Sequence, residues 1–517
     1  MGAPPTRLRP DLDAPPGHPP GARRAGLVGG LLLAAVVVAL LVPYLGADPP
    51  RELTASNARL TDEGFNLNNA RQWALFGSFA TGDVDRSLTN GVYSAIAGVV
   101  FRLTEPTLAV GRSISVAAVA LSVLLLAVGL AEPLGRTAAW LSAAALAGAN
   151  LALEYGRLGM VEPTVVAFLT GGFVLALRAL RRGSTLAGAG AGLLLAGAVS
   201  AKAIAVVPMA GMVGVMLGSG LWRRDRRAVL AGLAALGAAA AAAAAWFLLV
   251  ALPNLERLRT ALRIWPSVSY PHTPAGVVDR LGDYAAVSDQ ALGRSGPLLL
   301  AAVVGVVASV LRWRSLEPPA RAALGMAGLW GFGLWLALAV GSYAPNRYIV
   351  PALPGMAVLA GFGLAAMAAR LRPGGGRGRV VVVVALGLLV AAPGVARYLG
   401  DAASSGRQRE HDQRILTAAL PAQAVVFGHY APTLLFDTRY ELVTLWPTAG
   451  ANAGDPAARF GVTHVLASGV GDWTDPTLDI PSLRQLRYQV ALPRVRWAWH
   501  TLQLYRLRSP APPARGG

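Results

Sequence analysis

Long uncharged segments alternate with short arginine-bearing segments over the first 400 residues of the chain. A helix needs about 20 apolar residues to cross the hydrocarbon core of a bilayer. The pattern therefore predicts about eleven transmembrane helices. They lie near residues 26–46, 113–131, 137–153, 163–177, 184–201, 203–221, 228–252, 297–311, 322–341, 348–369 and 380–396.

Basic residues divide the connections between these segments into two sets. Short connections on one side hold a single basic residue each, Arg157, Lys202 and Arg347, whereas those on the other side include the cluster "RRDRR" at residues 223–227. Connections rich in Lys and Arg stay in the cytoplasm. This distribution predicts a cytoplasmic N-terminus and puts the single basic residues outside. Residues 1–25 hold seven prolines and several arginines, which predicts a disordered cytoplasmic tail.

The outer side also carries two long loops, residues 47–112 and 253–296. In the first, "NLNNARQWALF" alternates polar and apolar positions with helical spacing, so we expect helices that lie on the membrane surface. The chain changes character after the transmembrane domain of residues 26–396. Short β-prone runs such as "AVVFGH" and "THVLAS" accompany a polar helical stretch near 408–420, which predicts an extracytoplasmic α/β domain over residues 397–517.

Composition agrees with a multi-pass protein of the inner cell membrane. Hydrophobic residues make up 54% and charged residues 14% of the 517 residues, and the mean hydropathy is +0.49. The net charge of +19 does not indicate nucleic-acid binding, because most arginines flank apolar runs. The absence of cysteine excludes disulfides and cysteine nucleophiles. The six histidines show no ligand spacing, so no cofactor is predicted and a divalent metal has no support from the sequence.

The residues that could take part in a reaction lie at the outer membrane surface, because the predicted helix interiors contain no ionisable residue. This disfavours a proton-coupled transporter. Acids and bases on one side of the membrane would suit transfer of a group from a lipid-linked phosphate: a carboxylate takes a proton from an acceptor hydroxyl, and cations stabilise the leaving phosphate. The candidates are Asp62, Glu63, Glu162, Arg347 and the only lysine of the chain, Lys202.

Each of these residues also has a purely structural explanation. Asp62 and Glu63 would cap a surface helix, and Glu162, just before a proline, would start one. Arg347 would anchor its segment by snorkelling to headgroups. Lys202 would be the one lysine left by a strong bias toward arginine. The residues alone leave both explanations open.

Several short motifs follow one another in a fixed order. One span is followed by an outer loop opening with "DEGF", by an acid before proline in "VEPT", by "AK" between two later helices and by "NRYIVPALPG". This order resembles that of the GT-C membrane glycosyltransferases, in particular the branch with the protein O-mannosyltransferases and the lipid A aminoarabinose transferase. The likeness covers about residues 26–396, with Arg112 at the position of the family's usual arginine. It implies an inverting hexosyl- or pentosyltransferase that uses a polyprenyl-phosphate sugar outside the membrane.

The resemblance also implies a role for each candidate residue. Asp62 would be the general base, with Glu63 as its neighbour, and Glu162 would orient the acceptor or the base. The donor phosphate would be contacted by Lys202, Arg347 and Tyr348.

The sequence departs from the family pattern at two places. "TNGVY", Thr89–Tyr93, stands where members often have a Lys-Pro-Pro-Leu-like stretch, and Lys202 is followed by "AIA" where they commonly have Gly-Pro. These departures leave the sugar open. Among the remaining outer residues, Arg157 is a candidate substrate contact, and Trp265 is either a sugar contact or an interfacial anchor.

Two other functions compete with this hypothesis. The chain would be a transporter or flippase for a lipid-linked glycan, without chemistry, or a non-catalytic membrane partner that presents the C-terminal domain. As a transferase, it would act in the bilayer on a protein, a lipid or a cell-wall glycan as acceptor.

Overall fold

A computed structural model of the chain describes residues 20–50, 53, 62–79, 86–263, 273–339, 346–371, 375–444, 460–468, 490–497 and 500–507. The first ten helices are α1 (Pro20–Leu41), α2 (Asp62–Phe76), α3 (Arg86–Thr89), α4 (Gly91–Leu103), α5 (Leu108–Gly129), α6 (Arg136–Ala147), α7 (Asn150–Gly156), α8 (Val161–Arg182), α9 (Thr185–Ala201) and α10 (Val206–Trp222). The bundle continues with α11 (Arg226–Trp246), α12 (Leu255–Arg263), α13 (Pro274–Arg312), α14 (Pro318–Gly328), α15 (Leu334–Ala339), α16 (Leu353–Arg370) and α17 (Gly375–Ser404).

Nine helical segments in the described part of the chain are long and apolar enough to cross a membrane, and two shorter apolar helices, α4 and α9, accompany them. A polytopic helical membrane protein is thereby confirmed. Two of the eleven predicted spans take a different form. Residues 184–201 give the 17-residue helix α9, and residues 137–153 divide into α6 and α7.

The break between α6 and α7 lies at Gly148. Its backbone N–H donates to the carbonyl of Ala144 over 2.9 Å as α6 ends. A Cβ at this position would lie 2.3 Å from the Cα of Ala391 in α17, so only glycine allows the two backbones to approach this closely. The hydropathy of residues 137–153 carries no information about this contact, and it therefore predicts a single span there.

The second predicted outer loop is largely helical. Helix α13 is 39 residues long, and it begins after Thr273, whose hydroxyl accepts a hydrogen bond from the N–H of Gly276. Its membrane-crossing part, Arg294–Ser315, overlaps the predicted span 297–311. The first predicted loop likewise holds the helices α2, α3 and α4.

Helix α16 lies inside the bundle, where it packs against α6, α13 and α14. Most of its residues are buried, and its many Gly and Ala residues allow close helix packing. A 3₁₀ segment, Asn346–Ala352, leads into its N-terminus. The indole N–H of Trp330 donates to the carbonyl of Pro351 over 2.6 Å, so the end of this segment is anchored in the bundle.

The described residues of the C-terminal region form a five-stranded sheet and two helices, which confirms the predicted α/β character. The helices are α18 (Gln408–Ala419) and α19 (Ala431–Leu434), and the strands are β1 (Val425–Phe427), β2 (Glu441–Val443), β3 (His464–Ser468), β4 (Val490–Trp497) and β5 (His500–Arg506). The strand order is β2-β1-β3-β5-β4. Strand β1 runs parallel to β2 and β3, and β5 is antiparallel to β3 and β4. Strand β4 was not predicted, whereas α18 matches the predicted helical stretch.

Candidate functional site

The first candidate, Asp62, opens helix α2 and forms an ion pair with Arg347. The Nη1 atom of Arg347 lies 2.9 Å from Oδ2 of Asp62, and both side chains keep partial solvent contact. Burial acts to raise the pKa of the Asp62 carboxyl, but the positive charges of Arg347, Arg86 and Lys202 outweigh it, so this pKa lies below its ordinary value. Asp62 is therefore a carboxylate at neutral pH.

Lys202 lies at the junction of α9 and the short 3₁₀ turn Ala203–Ala205, in an extended conformation with φ −159° and ψ 122°. Its ammonium group donates to the buried Glu162 carboxylate. The Nζ atom is also 3.9 Å from the centroid of the Tyr348 ring, in cation–π range. Burial lowers the pKa of Lys202 to about 8, while the charge of Glu162 acts against this shift.

Glu162 joins the two basic residues of the site. It lies in the first turn of α8 and is fully buried, and Oε1 is 3.7 Å from Nε of Arg347 as well as accepting from Lys202. Its Oε2 atom is buried without a hydrogen-bond partner among the described residues. Arg347 and Tyr348 come from the 3₁₀ segment before α16. The structure thus brings Asp62, Glu162, Lys202, Arg347 and Tyr348 into one cluster, which we call the outer cluster.

Two further groups act on this cluster and were missed from the sequence. The charges of Arg86, at the start of α3, and of His429, just after β1, both lower the pKa of Asp62. Arg86 lies in the same predicted outer loop as Asp62, so its position in the sequence could have indicated it as a candidate. No signal in the sequence links His429, in the C-terminal domain, to a residue at position 62.

Glu63 points away from the outer cluster. It is fully buried, accepts two hydrogen bonds from Arg112 over 2.8 Å each, and accepts another from the N–H of Gly159 over 2.6 Å. Burial acts to raise the pKa of Glu63, but the charge and hydrogen bonds of Arg112 lower it overall. Arg112 also donates to the carbonyls of Leu45 and Ala47. This pair links α2 to α5 and to the end of the first span.

The structure does not bring Arg157 into the outer cluster. The side chain is fully buried and donates to the carbonyls of Ala47 and Asp48 and to the hydroxyl of Ser405, over 3.1–3.3 Å. Its Nε lies 3.6 Å from Oε2 of Glu154. Arg157 therefore has a structural role, because it links residues 47–48, after the first span, to Ser405, after α17. Trp265 lies outside the described residues.

The "TNGVY" segment lies beside the cluster. The side-chain amide nitrogen of Asn90 donates to the carbonyl of Ala201, the residue before Lys202, over 3.3 Å. Tyr93 is fully buried. Among the described residues, no group of three or more His, Cys, Asp or Glu side chains is arranged to hold a metal ion. The outer cluster itself presents two carboxylates, an ammonium group, a guanidinium group and a phenol ring.

Solved structures of other proteins share this fold, although no family model and no curated protein matches the chain. ArnT from Cupriavidus metallidurans in the apo state has 16% identity and a TM-score of 0.62, and 92% of this chain covers 97% of it. ArnT bound to undecaprenyl phosphate gives 15% identity and a TM-score of 0.59, with the same coverage.

A more distant similarity is to AglB, an oligosaccharyltransferase from Archaeoglobus fulgidus in complex with an inhibitory peptide and a dolichol-phosphate. It has 13% identity and a TM-score of 0.55, with 86% of this chain covering 69% of that chain. ArnT and AglB both have the GT-C fold. The fold implied by the order of motifs is thereby confirmed.

Proposed function

We propose that this chain, which has the GT-C fold, is a membrane glycosyltransferase that moves a sugar from a polyprenyl phosphate to a hydroxyl acceptor. The observation that carries the proposal is the outer cluster, in which Asp62, Glu162, Lys202 and Arg347 converge from four separate segments. The structures of ArnT with undecaprenyl phosphate and of AglB with a dolichol-phosphate support a lipid phosphate as donor.

In this mechanism Asp62 is the general base. Its lowered pKa keeps the carboxylate ionised, so it accepts the proton of the acceptor hydroxyl as the hydroxyl oxygen attacks the anomeric carbon. The bond between that carbon and the phosphate oxygen breaks, and the polyprenyl phosphate leaves with the electron pair. Attack from the side opposite the leaving group inverts the anomeric configuration.

Lys202 and Arg347 stabilise the leaving phosphate. Both side chains are 15–17% exposed, so their charges act in a poorly solvated site and are stronger there than in water. Before the donor binds, Arg347 is paired with Asp62 over 2.9 Å. A donor phosphate that takes over Arg347 would release the Asp62 carboxylate for proton transfer. Donor binding thus precedes activation of the base.

Glu162 and Tyr348 position the two cations. The buried Glu162 carboxylate contacts both Lys202 and Arg347, and the ring of Tyr348 lies under the Lys202 ammonium. Glu63, closed off by Arg112, is assigned a supporting role in this mechanism.

The reaction takes place on the extracytoplasmic side of the inner cell membrane. This assignment follows from the distribution of basic residues, which puts Lys202 and Arg347 on the side opposite the arginine-rich connections. The N-terminus is cytoplasmic, residues 26–396 form the catalytic domain and residues 397–517 lie outside. The acceptor is a protein, a lipid or a cell-wall glycan.

Substitution of Asp62 tests the proposal. Purified protein in lipid nanodiscs receives undecaprenyl phosphates that carry radiolabelled hexoses or pentoses, with envelope from a strain lacking the chain as acceptor source. We expect Asp62→Asn to lower transfer about 10²- to 10⁴-fold while binding of undecaprenyl phosphate persists. Asp279→Asn, at an exposed position of α13, is the matched control.

Two outcomes would overturn the proposal. A folded Asp62→Asn protein with wild-type transfer would remove Asp62 as the base. If the lipid-linked sugar moves from one leaflet of a vesicle membrane to the other and no undecaprenyl phosphate is released, a flippase is favoured. Comparison of surface glycans with and without the chain then identifies the sugar and the acceptor.

A further inference from the structure

The C-terminal domain is bonded directly to helix α2, the helix that begins with Asp62. The central contact is Arg71, which is fully buried. Its Nε donates to the carbonyl of Phe436 over 2.7 Å, and its Nη2 donates to the carbonyls of Thr438 and Tyr440 over 2.6 and 2.9 Å. These three carbonyls belong to the turn of residues 436–440, between α19 and β2. One guanidinium thus fixes the conformation of a whole turn.

The 436–440 turn is also hydrogen-bonded to α5 and to α18. Asp437 accepts hydrogen bonds from the N–H of Leu108 at the start of α5, over 2.6 Å, and from Nη2 of Arg409 in α18, over 2.7 Å. Burial lowers the pKa of Arg71 to about 9, against the effect of the nearby Asp437 charge. Arg71 therefore remains charged at neutral pH and makes charge-assisted hydrogen bonds, which are stronger than neutral ones.

The contacts that α2 makes with the C-terminal domain lie on one face of the helix. The side-chain amides of Asn68 and Gln72 both donate to the carbonyl of Leu442 in β2, over 2.9 and 3.1 Å. Nearer the start of the helix, a Cβ on Gly64 would lie 2.5 Å from the backbone nitrogen of Thr433 in α19. Positions 64, 68, 71 and 72 have the spacing of one helical face. The C-terminal domain therefore covers α2 from its first turn to its third.

Arg71 itself is too far along the helix to reach the outer cluster. It follows Asp62 by nine residues, which is about 13 Å along an α-helix at its usual rise. Arg71 therefore acts on Asp62 indirectly, through helix α2 and the C-terminal domain that packs on it. The same interface seats the His429 ring 4.8 Å from the Phe65 ring, centroid to centroid.

We infer that Arg71 is a positioning residue, through which the C-terminal domain holds helix α2 so that the Asp62 carboxylate faces Arg347 and the incoming acceptor. The C-terminal domain is then an integral part of the catalytic centre. This inference rests on the proposed role of Asp62 as base. It assigns no contact with substrate to Arg71.

The variants Arg71→Met and Arg71→Lys test the inference in the transfer assay. Because Lys202, Glu162 and Tyr348 lie on other segments, we expect Arg71→Met to lower kcat at least tenfold with the donor KM and undecaprenyl phosphate binding changed less than twofold. Arg71→Lys keeps the charge and reaches fewer carbonyls, so it should restore part of kcat. Arg102→Met is the matched control, because the exposed Arg102 also contacts α2, at Trp73, from the side of α4.

The outcomes separate this inference from the proposed function. If Asp62→Asn abolishes transfer while folded Arg71→Met keeps wild-type kcat, the positioning role is wrong and the transferase remains. If Arg71→Met loses donor binding together with kcat, Arg71 supports the whole bundle instead of positioning the base. Should Arg71→Met fail to fold, Arg71→Lys decides the matter: a three- to tenfold fall in kcat at unchanged donor KM is expected, and wild-type kcat overturns the inference.

Discussion

Glu63 and Arg112 form a fully buried, two-pronged ion pair, in which Nε donates to Oε1 and Nη2 to Oε2, each over 2.8 Å. The preceding residue, Asp62, pairs instead with Arg347 in the outer cluster. Successive side chains of a helix point about 100° apart, so two adjacent acids face different surroundings. The "DE" pair consists of one acid open to chemistry and one closed by a structural partner.

Removal of the Glu63 charge should therefore destabilise the protein. In Glu63→Gln the Arg112 guanidinium stays buried without its counter-charge, and breaking such a pair costs about 3–5 kcal/mol. We expect the thermal midpoint of the purified protein in detergent to fall clearly. Asp62→Asn is the comparison, because Asp62 is partly exposed and its loss should lower the midpoint less than the loss of Glu63. Equal midpoints for Glu63→Gln and the wild type would contradict the structural role.

Hydropathy and charge predict much of the outer cluster, because they locate the connections between spans and the side on which each lies. Glu162, Lys202 and Arg347 all stand at such connections, so one membrane surface is the only level at which they can meet. Their convergence is a property of the topology that these patterns encode. The order of motifs adds the role of Asp62 as the base.

Contacts between distant segments are not encoded in such patterns. Arg71 lies 365 residues before Phe436, whose carbonyl it binds, and nothing in the local sequence of either residue indicates the other. The pairing of Glu63 with Arg112, the influence of His429 on Asp62 and the close approach of α17 at Gly148 have the same origin. Each depends on packing between elements, and the hydrophobic periodicity of a single segment carries no information about that packing.

Replacement of Lys202 by arginine should impair turnover although it keeps the charge. The Lys202 ammonium fits between the Glu162 carboxylate and the Tyr348 ring. A planar guanidinium is larger and imposes its own hydrogen-bond directions. We expect kcat/KM for the polyprenyl-phosphate sugar to fall about tenfold in Lys202→Arg and about 10²- to 10³-fold in Lys202→Ala.

The reverse exchange at an exposed site, Arg102→Lys, provides the control and should leave kcat/KM within twofold of the wild type. Wild-type kcat/KM in Lys202→Arg would mean that the site requires only a positive charge. The single lysine would then reflect the arginine bias of the chain.

The pH dependence of donor capture should report Lys202. Its pKa is lowered to about 8, so the ammonium that binds phosphate is present below this pH and is lost above it. We expect kcat/KM for the donor, which reports the free enzyme, to fall as pH rises through about 8. Arginine keeps its charge throughout this range, so Lys202→Arg should abolish the alkaline decline. An unchanged decline in that variant would assign it to another group.

Glu154 should make the protein less stable as pH rises toward neutrality. It is fully buried with no hydrogen-bond partner for either carboxylate oxygen among the described residues. Burial raises its pKa to about 7, although Arg157 acts to lower it. Between the ordinary value of 4.5 and about 7 the folded protein holds a proton that the unfolded chain has released. The cost of the buried charge is thus absent below pH 4.5 and complete above pH 7.

Glu154→Gln should raise the free energy of unfolding by up to about 3 kcal/mol at pH 8 and change it little at pH 5. Glu105→Gln, at an exposed position, should have no such pH-dependent effect, and an equal stability gain at both pH values in Glu154→Gln would show that the ionised carboxylate is not the cause.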